Sequence, residues 1–328
     1  MCYTQGSCEG KRTKTRTIGI VGPTAIGKTA VGVELATKLG NTEIVSVDSM
    51  QVYRRMDIGT AKPTPAERTA VPFHLIDIVE PDYDFTLAEY QRLANEAACQ
   101  IVAAGNTAIL VGGTGLYFRA ITTRLDIPET EPDPAFREAW YELARTEGAE
   151  RVRKHLIEID EPAANKIHPN DVRRMVRAIE VFEKTGTPLS EWHRANREAQ
   201  ENDEPAGDFY CLNCERNELY RTIERRVDLM VQSGFIDEVA ALREMGYGPE
   251  LKPMQALGYR QINEYLDGKL SRDDAIEATK AETRQFARRQ LVWFRADKRL
   301  NWLETDGQTV TQLAERILAS INKNKSIN

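Results

Sequence analysis

The sequence predicts an α/β fold in which a mainly parallel sheet is flanked by helices and carries a helical insertion. Three observations predict it. Apolar runs of strand length alternate with amphipathic stretches of helical period over residues 17–125. A glycine-rich turn joins the first apolar run to the first helix. A charged stretch, residues 126–205, lies between two polar breaks.

The elements follow in order. Residues 1–16 are polar and aperiodic, with four basic residues against one acid, and read as a disordered tail. Thr17-Ile-Gly-Ile-Val21 is a buried strand feeding a turn. From Lys28 to Leu39, Val31, Leu35 and Leu39 recur at helical spacing and Gly40 closes the helix. Ile44–Val47 is a second strand and His74–Ile78 a third. Residues 86–104 form an amphipathic helix stopped by Gly105. Thr107–Val111 is a further strand stopped by Gly112-Gly113. Three prolines between Pro128 and Pro134 mark a hinge. Residues 135–198 are largely helical and highly charged, and residues 201–207 form the second break. After a short segment near Phe209–Leu212, residues 216–323 read as mostly helical. The expected division is a core of residues 17–125 and 206–323 and a helical insertion of residues 126–205.

Composition narrows the function. The 328 residues carry 44 Lys+Arg against 50 Asp+Glu, a net charge of −6, which excludes a uniformly basic coat but leaves room for a local basic groove. No stretch approaches the ~18 apolar residues of a membrane span. The first residues lack the apolar segment of a secretory signal. Five scattered cysteines form no disulfide framework, and a reducing cytoplasm is the expected location. Cys211-x-x-Cys214 has no second pair and is not read as a metal site.

Gly22-Pro23-Thr24-Ala25-Ile26-Gly27-Lys28-Thr29 fits G-x-x-x-x-G-K-[ST], between strand and helix as that motif requires. Such a loop wraps an anion in backbone N–H groups at a helix N-terminus. Lys28 supplies a point charge and Thr29 an oxygen ligand for Mg²⁺. The motif specifies a polyphosphate rather than ATP, and it predicts a P-loop NTPase-like core. The acid expected at a strand end to hold Mg²⁺ is missing from Ala108–Val111; Asp77 is one substitute. Asp48, at the end of Ile44–Val47, faces the ligand crevice of an open sheet. It reads either as a cap for a following helix or as a general base beside the phosphates.

With Asp48-Ser49-Met50-Gln51-Val52-Tyr53 beside the phosphate loop, the chain resembles the tRNA dimethylallyltransferase family. Ile58–Pro63, Pro72–Asp77, Gly112–Tyr117, Ile167–Asp171, Arg173–Ala178, Ile223–Arg226, Gln255–Arg260 and Arg288–Arg295 agree, so the likeness spans about residues 17–303. The resemblance implies transfer of a dimethylallyl group from its diphosphate to N6 of adenosine 37, in tRNAs reading codons that begin with U. It implies that Gly22–Thr29 cradle the diphosphate, Thr29 sits beside Mg²⁺, Asp48 accepts the N6 proton and Arg226 clamps the diphosphate. It further implies tRNA contacts from Asp48, Ser49, Met50, Gln51, Thr114 and Arg137. The same holds for Arg173, Arg174, Met175, Val176 and Arg177, for Gln255, Gly258, Tyr259 and Arg260, and for Arg288, Arg289, Gln290, Trp293 and Arg295. The partners expected are a tRNA anticodon stem-loop and dimethylallyl diphosphate, met by a monomer, with no membrane.

Blander readings stand beside these. Residues 281–299 carry six basic residues against Glu282 and Asp297, which also suits a solvated helix with Trp293 in the core. Arg173 and Arg177 share a helix face and could pair with Asp171 or Glu180, while Met175, Ile179 and Phe182 suit that helix's core face. Rival functions are an adenylate isopentenyltransferase acting on free nucleotides, a small-metabolite kinase, and a non-catalytic tRNA-binding protein.

Overall fold

The computed structural model describes residues 17–128, 130, 132–201 and 207–325; the expected N-terminal tail lies outside them. The chain forms two compact units, residues 123–204 and the remainder.

The larger unit is built on a six-stranded parallel sheet of order β3-β2-β4-β1-β5-β6. Its strands are β1 (Thr17–Val21), β2 (Thr42–Val47), β3 (Phe73–His74), β4 (Thr107–Gly112), β5 (Gly207–Asn213) and β6 (Leu300–Glu304). The central strands are continuous apolar runs because helices cover both faces. On one face α1 (Lys28–Leu39) and α13 (Val310–Lys325) bury Val31, Leu35, Leu313 and Ile317 against Ile20, Ile44 and Ile109. On the other, α3 (Leu87–Ala103), α4 (Gly115–Thr122), α10 (Phe235–Glu244), α11 (Tyr259–Leu266) and α12 (Arg272–Arg295) cover Val45, Val47 and Leu110. The short α2 (Pro65–Ala70) and the longer α9 (Arg216–Gln232) complete this unit. Thr86 caps α3 through a reciprocal box with Glu89, as its sequence position suggests.

Two expectations are corrected. The third strand is two residues long, because Leu75 and Asp77 adopt left-handed φ of 62° and 58° that end the extended run. The Asp77 carboxylate there is held by Lys62 (2.5 Å) and Arg68 (2.7 Å). The stretch read as mostly helical contains β6, an edge strand exposed on most of its residues. Among the described residues no helix is long and apolar enough to cross a membrane.

The smaller unit holds α5 (Pro134–Glu147), α6 (Ala149–Lys166), α7 (Val172–Thr185) and α8 (Leu189–Glu201). Val152, Leu156, Met175, Val176 and Ile179 form its core. α6 kinks at Asp160 (φ −154°), before Pro162, whose ring a straight helix rejects. The Asp160 carboxylate accepts the Ala163 and Ser190 N–H groups at 3.0 and 2.9 Å, fixing α8 to the kink. Glu180 is fully buried and takes both ends of the Arg137 fork (2.9 Å each), Arg177 (2.7 Å) and the Asp133 N–H (3.0 Å).

Candidate active site

Residues 22–27 connect β1 to α1 at the C-terminal edge of the sheet, where an open parallel sheet binds ligands. Gly27, at φ 90°, turns the backbone into α1 through a conformation that a side chain would strain. Lys28 folds back so that Nζ donates to the Pro23 carbonyl at 2.8 Å. From α9, Arg226 donates to the Thr24 hydroxyl at 3.3 Å. Removal from water, and then the neighbouring Arg226, push the Lys28 ammonium down to about 8; Asp48 and Cys211 pull the other way. Burial lowers Arg226 too, again opposed by Asp48. Two cations crowded into a poorly hydrated loop favour the binding of an anion.

Asp48 follows β2. Its Oδ1 accepts the Met50 N–H at 2.9 Å, closing a side-chain turn, and the next helix is α2, so Asp48 caps no helix. Thr114, between β4 and α4, accepts the Ser49 N–H at 3.1 Å and donates its own N–H to the Val47 carbonyl at 3.1 Å. Gln51 accepts from the Ser46 hydroxyl (2.9 Å) and donates to the Thr60 and Ala61 carbonyls (3.4 and 3.3 Å). Asp48 also acts electrostatically on Tyr90 and Tyr117, whose hydroxyls burial pushes far up. Their rings stack with centroids 3.7 Å apart. A carboxylate, two cations and an aromatic wall therefore share one end of the sheet.

Beside Arg226 opens a cavity of about 840 Å³. Arg54, Arg55, Lys62 and Arg68 line it together with Ile58, Leu229 and Met230. Asp57 and Asp77 line it too, and they pair with Lys62 and Arg68, so the charge of its lining is largely balanced.

The remaining candidates separate. Gln290 is buried: its Oε1 accepts the Thr24 N–H (2.8 Å) and its Nε2 donates to the Gly113 carbonyl (2.8 Å), so its amide is spent inside the protein. Trp293 is half-buried over Gly115, where an added Cβ would sit 2.4 Å from the indole. Arg288, Arg289 and Arg295 are exposed along α12. Tyr259 is buried, its hydroxyl donating to Glu238 at 2.6 Å, and Gly258 is buried beside it. Arg260 pairs with Glu282, and Gln255 is exposed with its amide on the Pro249 carbonyl. In the smaller unit Arg173 is exposed and Arg174 pairs with Asp171 at 3.3 Å. Met175 and Val176 are fully buried, so their side chains offer no surface to RNA. Arg137 and Arg177 are committed to Glu180. The pairing of Arg174 and Arg177 is the blander of the two readings of that helix.

Among the described residues no group of three or more His, Cys, Asp or Glu side chains is arranged for a metal ion. Burial pushes the Cys211 and Cys214 thiols up to about 12 and 11, which keeps them protonated and poor metal ligands at neutral pH. Thr29, next to Lys28 at the start of α1, offers the hard oxygen donor that Mg²⁺ takes when most of its ligands are phosphate and water. No local motif marks the Glu238 carboxylate on α10, which accepts three consecutive N–H groups, of Asp57, Ile58 and Gly59.

Comparison with known proteins gives a consistent picture. A family profile described as IPP transferase matches residues 51–297, and one described as isopentenyl transferase matches residues 16–75. The chain is 43% identical over 305 residues to the tRNA dimethylallyltransferase of Carboxydothermus hydrogenoformans, covering 93% of this chain and 97% of that protein. The tRNA isopentenylpyrophosphate transferase of Bacillus halodurans superposes with a TM-score of 0.69 at 37% identity, covering 95% and 97% of the two chains. A eukaryotic dimethylallyltransferase acting on tRNA superposes with a TM-score of 0.79 at 26% identity, covering 96% and 80%.

Proposed function

We propose that this chain, which belongs to the IPP transferase family, transfers the dimethylallyl group of dimethylallyl diphosphate to N6 of adenosine 37, in tRNAs that read codons beginning with U. Its activity is that of a tRNA dimethylallyltransferase. The observation that carries the residue-level reading is that Val21 and Val47, which lead into the phosphate loop and into Asp48, both register with Gly112 at the C-terminal edge of the sheet. A proton acceptor and two leaving-group cations belong together in an alkyl transfer.

The reaction breaks the allylic C–O bond and forms a C–N bond to N6. Negative charge grows on the departing diphosphate, where Lys28, Arg226 and the N–H groups of Gly22–Thr29 stabilise it. Thr29 with the diphosphate oxygens would hold Mg²⁺, which would neutralise part of that charge. N6 is an aromatic amine and a weak nucleophile. Asp48 orients its N–H and takes the proton, a contribution of roughly 10²–10⁴-fold. The Met50 N–H holds the Asp48 carboxylate in place. Thr114 braces the same turn through Ser49.

Adenosine 37 has to leave its stack to reach Asp48, as bases undergoing chemistry do. Ser49, Met50 and Thr114 would meet the acceptor at Asp48, and exposed Arg288, Arg289 and Arg295 would follow its phosphates. In the smaller unit exposed Arg173 and Arg174 would do the same. Gln51, Arg137, Arg177, Gly258, Tyr259, Arg260 and Gln290 would act by holding the protein's own loops and helices. The reading takes the chain to act as a monomer, in the cytoplasm.

The test is Asp48→Ala, assayed for transfer and separately for retention of an anticodon stem-loop. The expected result is transfer lost with stem-loop binding kept. Unchanged transfer would overturn the role of Asp48.

A further inference from the structure

We propose that Glu238 and Tyr259 are positioning residues that set the acceptor side of the site from beneath, through Gln51. This rests on the function proposed above.

The Glu238 carboxylate carries four donors. Oε2 accepts the N–H groups of Asp57 (2.8 Å) and Ile58 (2.7 Å), and Oε1 accepts those of Gly59 (3.1 Å) and the Tyr259 hydroxyl (2.6 Å). The first three belong to consecutive residues, so one side chain fixes the path of the loop 57–61. The loop is pressed onto an edge-to-face pair of rings, Phe235 and Tyr259, with centroids 5.1 Å apart. A Cβ added at Gly59 would fall 2.3 Å from the Phe235 ring and 2.5 Å from that of Tyr259, so the approach is open to glycine alone.

The far end of the loop meets the site. The Thr60 and Ala61 carbonyls receive the Gln51 amide, whose oxygen accepts the Ser46 hydroxyl two residues before Asp48. Lys62, just beyond, donates to the Tyr53 carbonyl on the other side of Gln51 at 2.7 Å. A chain of hydrogen bonds thus runs from α10 and α11 through the loop to Gln51 and, by way of the Ser46 hydroxyl, to the end of β2 that carries Asp48. This assigns a task to Tyr259 and to the Gly258 bend that carries it, neither of which offers an exposed side chain to RNA. The phosphate loop is not part of this chain of contacts.

Glu238→Gln puts an amide NH₂ against backbone donors and displaces the loop. The expected outcome is a fall of roughly 10- to 100-fold in kcat/KM for an anticodon stem-loop, the scale of a misplaced reacting group, with KM for dimethylallyl diphosphate within about twofold of the original. Tyr259→Phe keeps the ring and removes one donor of four, and should shift the same parameter less. It carries the test if Glu238→Gln does not fold. Val239→Ala, a cavity variant on the same helix, controls for lost stability and should lower Tm without this split. Combining Glu238→Gln with Gln51→Ala should cost little more than Gln51→Ala alone. Additive losses, or equal changes in donor and acceptor KM, would overturn the proposal. Stem-loop retention without turnover reads the same effect if transfer itself proves absent, which would count against the function and not against Glu238. Retention unchanged by Glu238→Gln in that case would overturn the positioning role.

Discussion

Gln290 on α12 accepts the backbone N–H of Thr24, in the middle of the phosphate loop, at 2.8 Å across 266 residues of sequence. Its amide nitrogen meanwhile donates to the Gly113 carbonyl at the end of β4. One buried side chain therefore joins the loop that takes the diphosphate to the strand that ends beside Asp48. Gln290→Ala leaves a buried N–H and a carbonyl without this partner, at about 1–3 kcal/mol. KM for the donor should rise about tenfold, with stem-loop retention nearly unchanged. Steady-state kinetics with each substrate varied in turn checks it.

Lys28 predicts a pH dependence. Its ammonium is held at about 8, against an ordinary value of 10.5. In the free enzyme it is charged below about pH 8 and neutral above, so kcat/KM for the donor should fall as pH rises through 8. The Lys28→Arg variant should abolish that fall while lowering the plateau. Stability follows the opposite course. Between about pH 8 and 10.5 the unfolded chain still holds the proton that the folded chain has lost, so this contribution grows with pH. It is full above 10.5 and lost as pH falls through about 8. A pH profile of kcat/KM, measured with the donor limiting, reports the first effect.

The strand, loop and helix from Thr17 to Leu39 were readable because local chemistry alone determines them: an apolar run, a glycine turn and a helical repeat. The expected third strand failed at Leu75 and Asp77, where ion pairs from Lys62 and Arg68, distant in period though near in sequence, hold a left-handed backbone. β6 went unseen because an edge strand with most residues exposed has no apolar signature. Within the site, Lys28 and Asp48 were visible from position. The clamp of Gln290 on Thr24 was not, since its partner lies far along the chain. The segment 173–177 shows the limit of contiguous motifs: a helix turns Met175 and Val176 into the core while Arg173 and Arg174 face solvent.

Glu180 should be a main determinant of stability in the smaller unit. Burial pushes its carboxyl up, but Arg137, Arg177 and the Asp133 N–H outweigh burial and hold it below the usual range. Glu180→Ala removes the buried acceptor of two partly exposed guanidinium groups and of the Asp133 N–H, at about 1–3 kcal/mol. The contribution of Glu180 is present above the ordinary glutamate range and lost as pH falls through its lowered value. Hydrogen exchange of α5 and α7 should accelerate in the variant while the sheet stays protected.

Salt should separate the two substrates. Exposed Arg288, Arg289, Arg295 and Arg173 predict steep weakening of stem-loop binding with ionic strength. Removing any one should reduce the logarithmic slope by about 0.7–0.9. Donor binding, confined to a small enclosed loop, should respond much less. Equal slopes for both ligands would contradict a phosphate-tracking role for these arginines.

Transfer to a tRNA adenosine is decided by a single assay. Radiolabelled dimethylallyl diphosphate and Mg²⁺ are mixed with the purified chain and either an unmodified anticodon stem-loop bearing A36-A37-A38 or free AMP. Label should enter the stem-loop, disappear when A37 is replaced by G, and stay out of AMP. Label in AMP, or in a stem-loop lacking A37, would contradict the account.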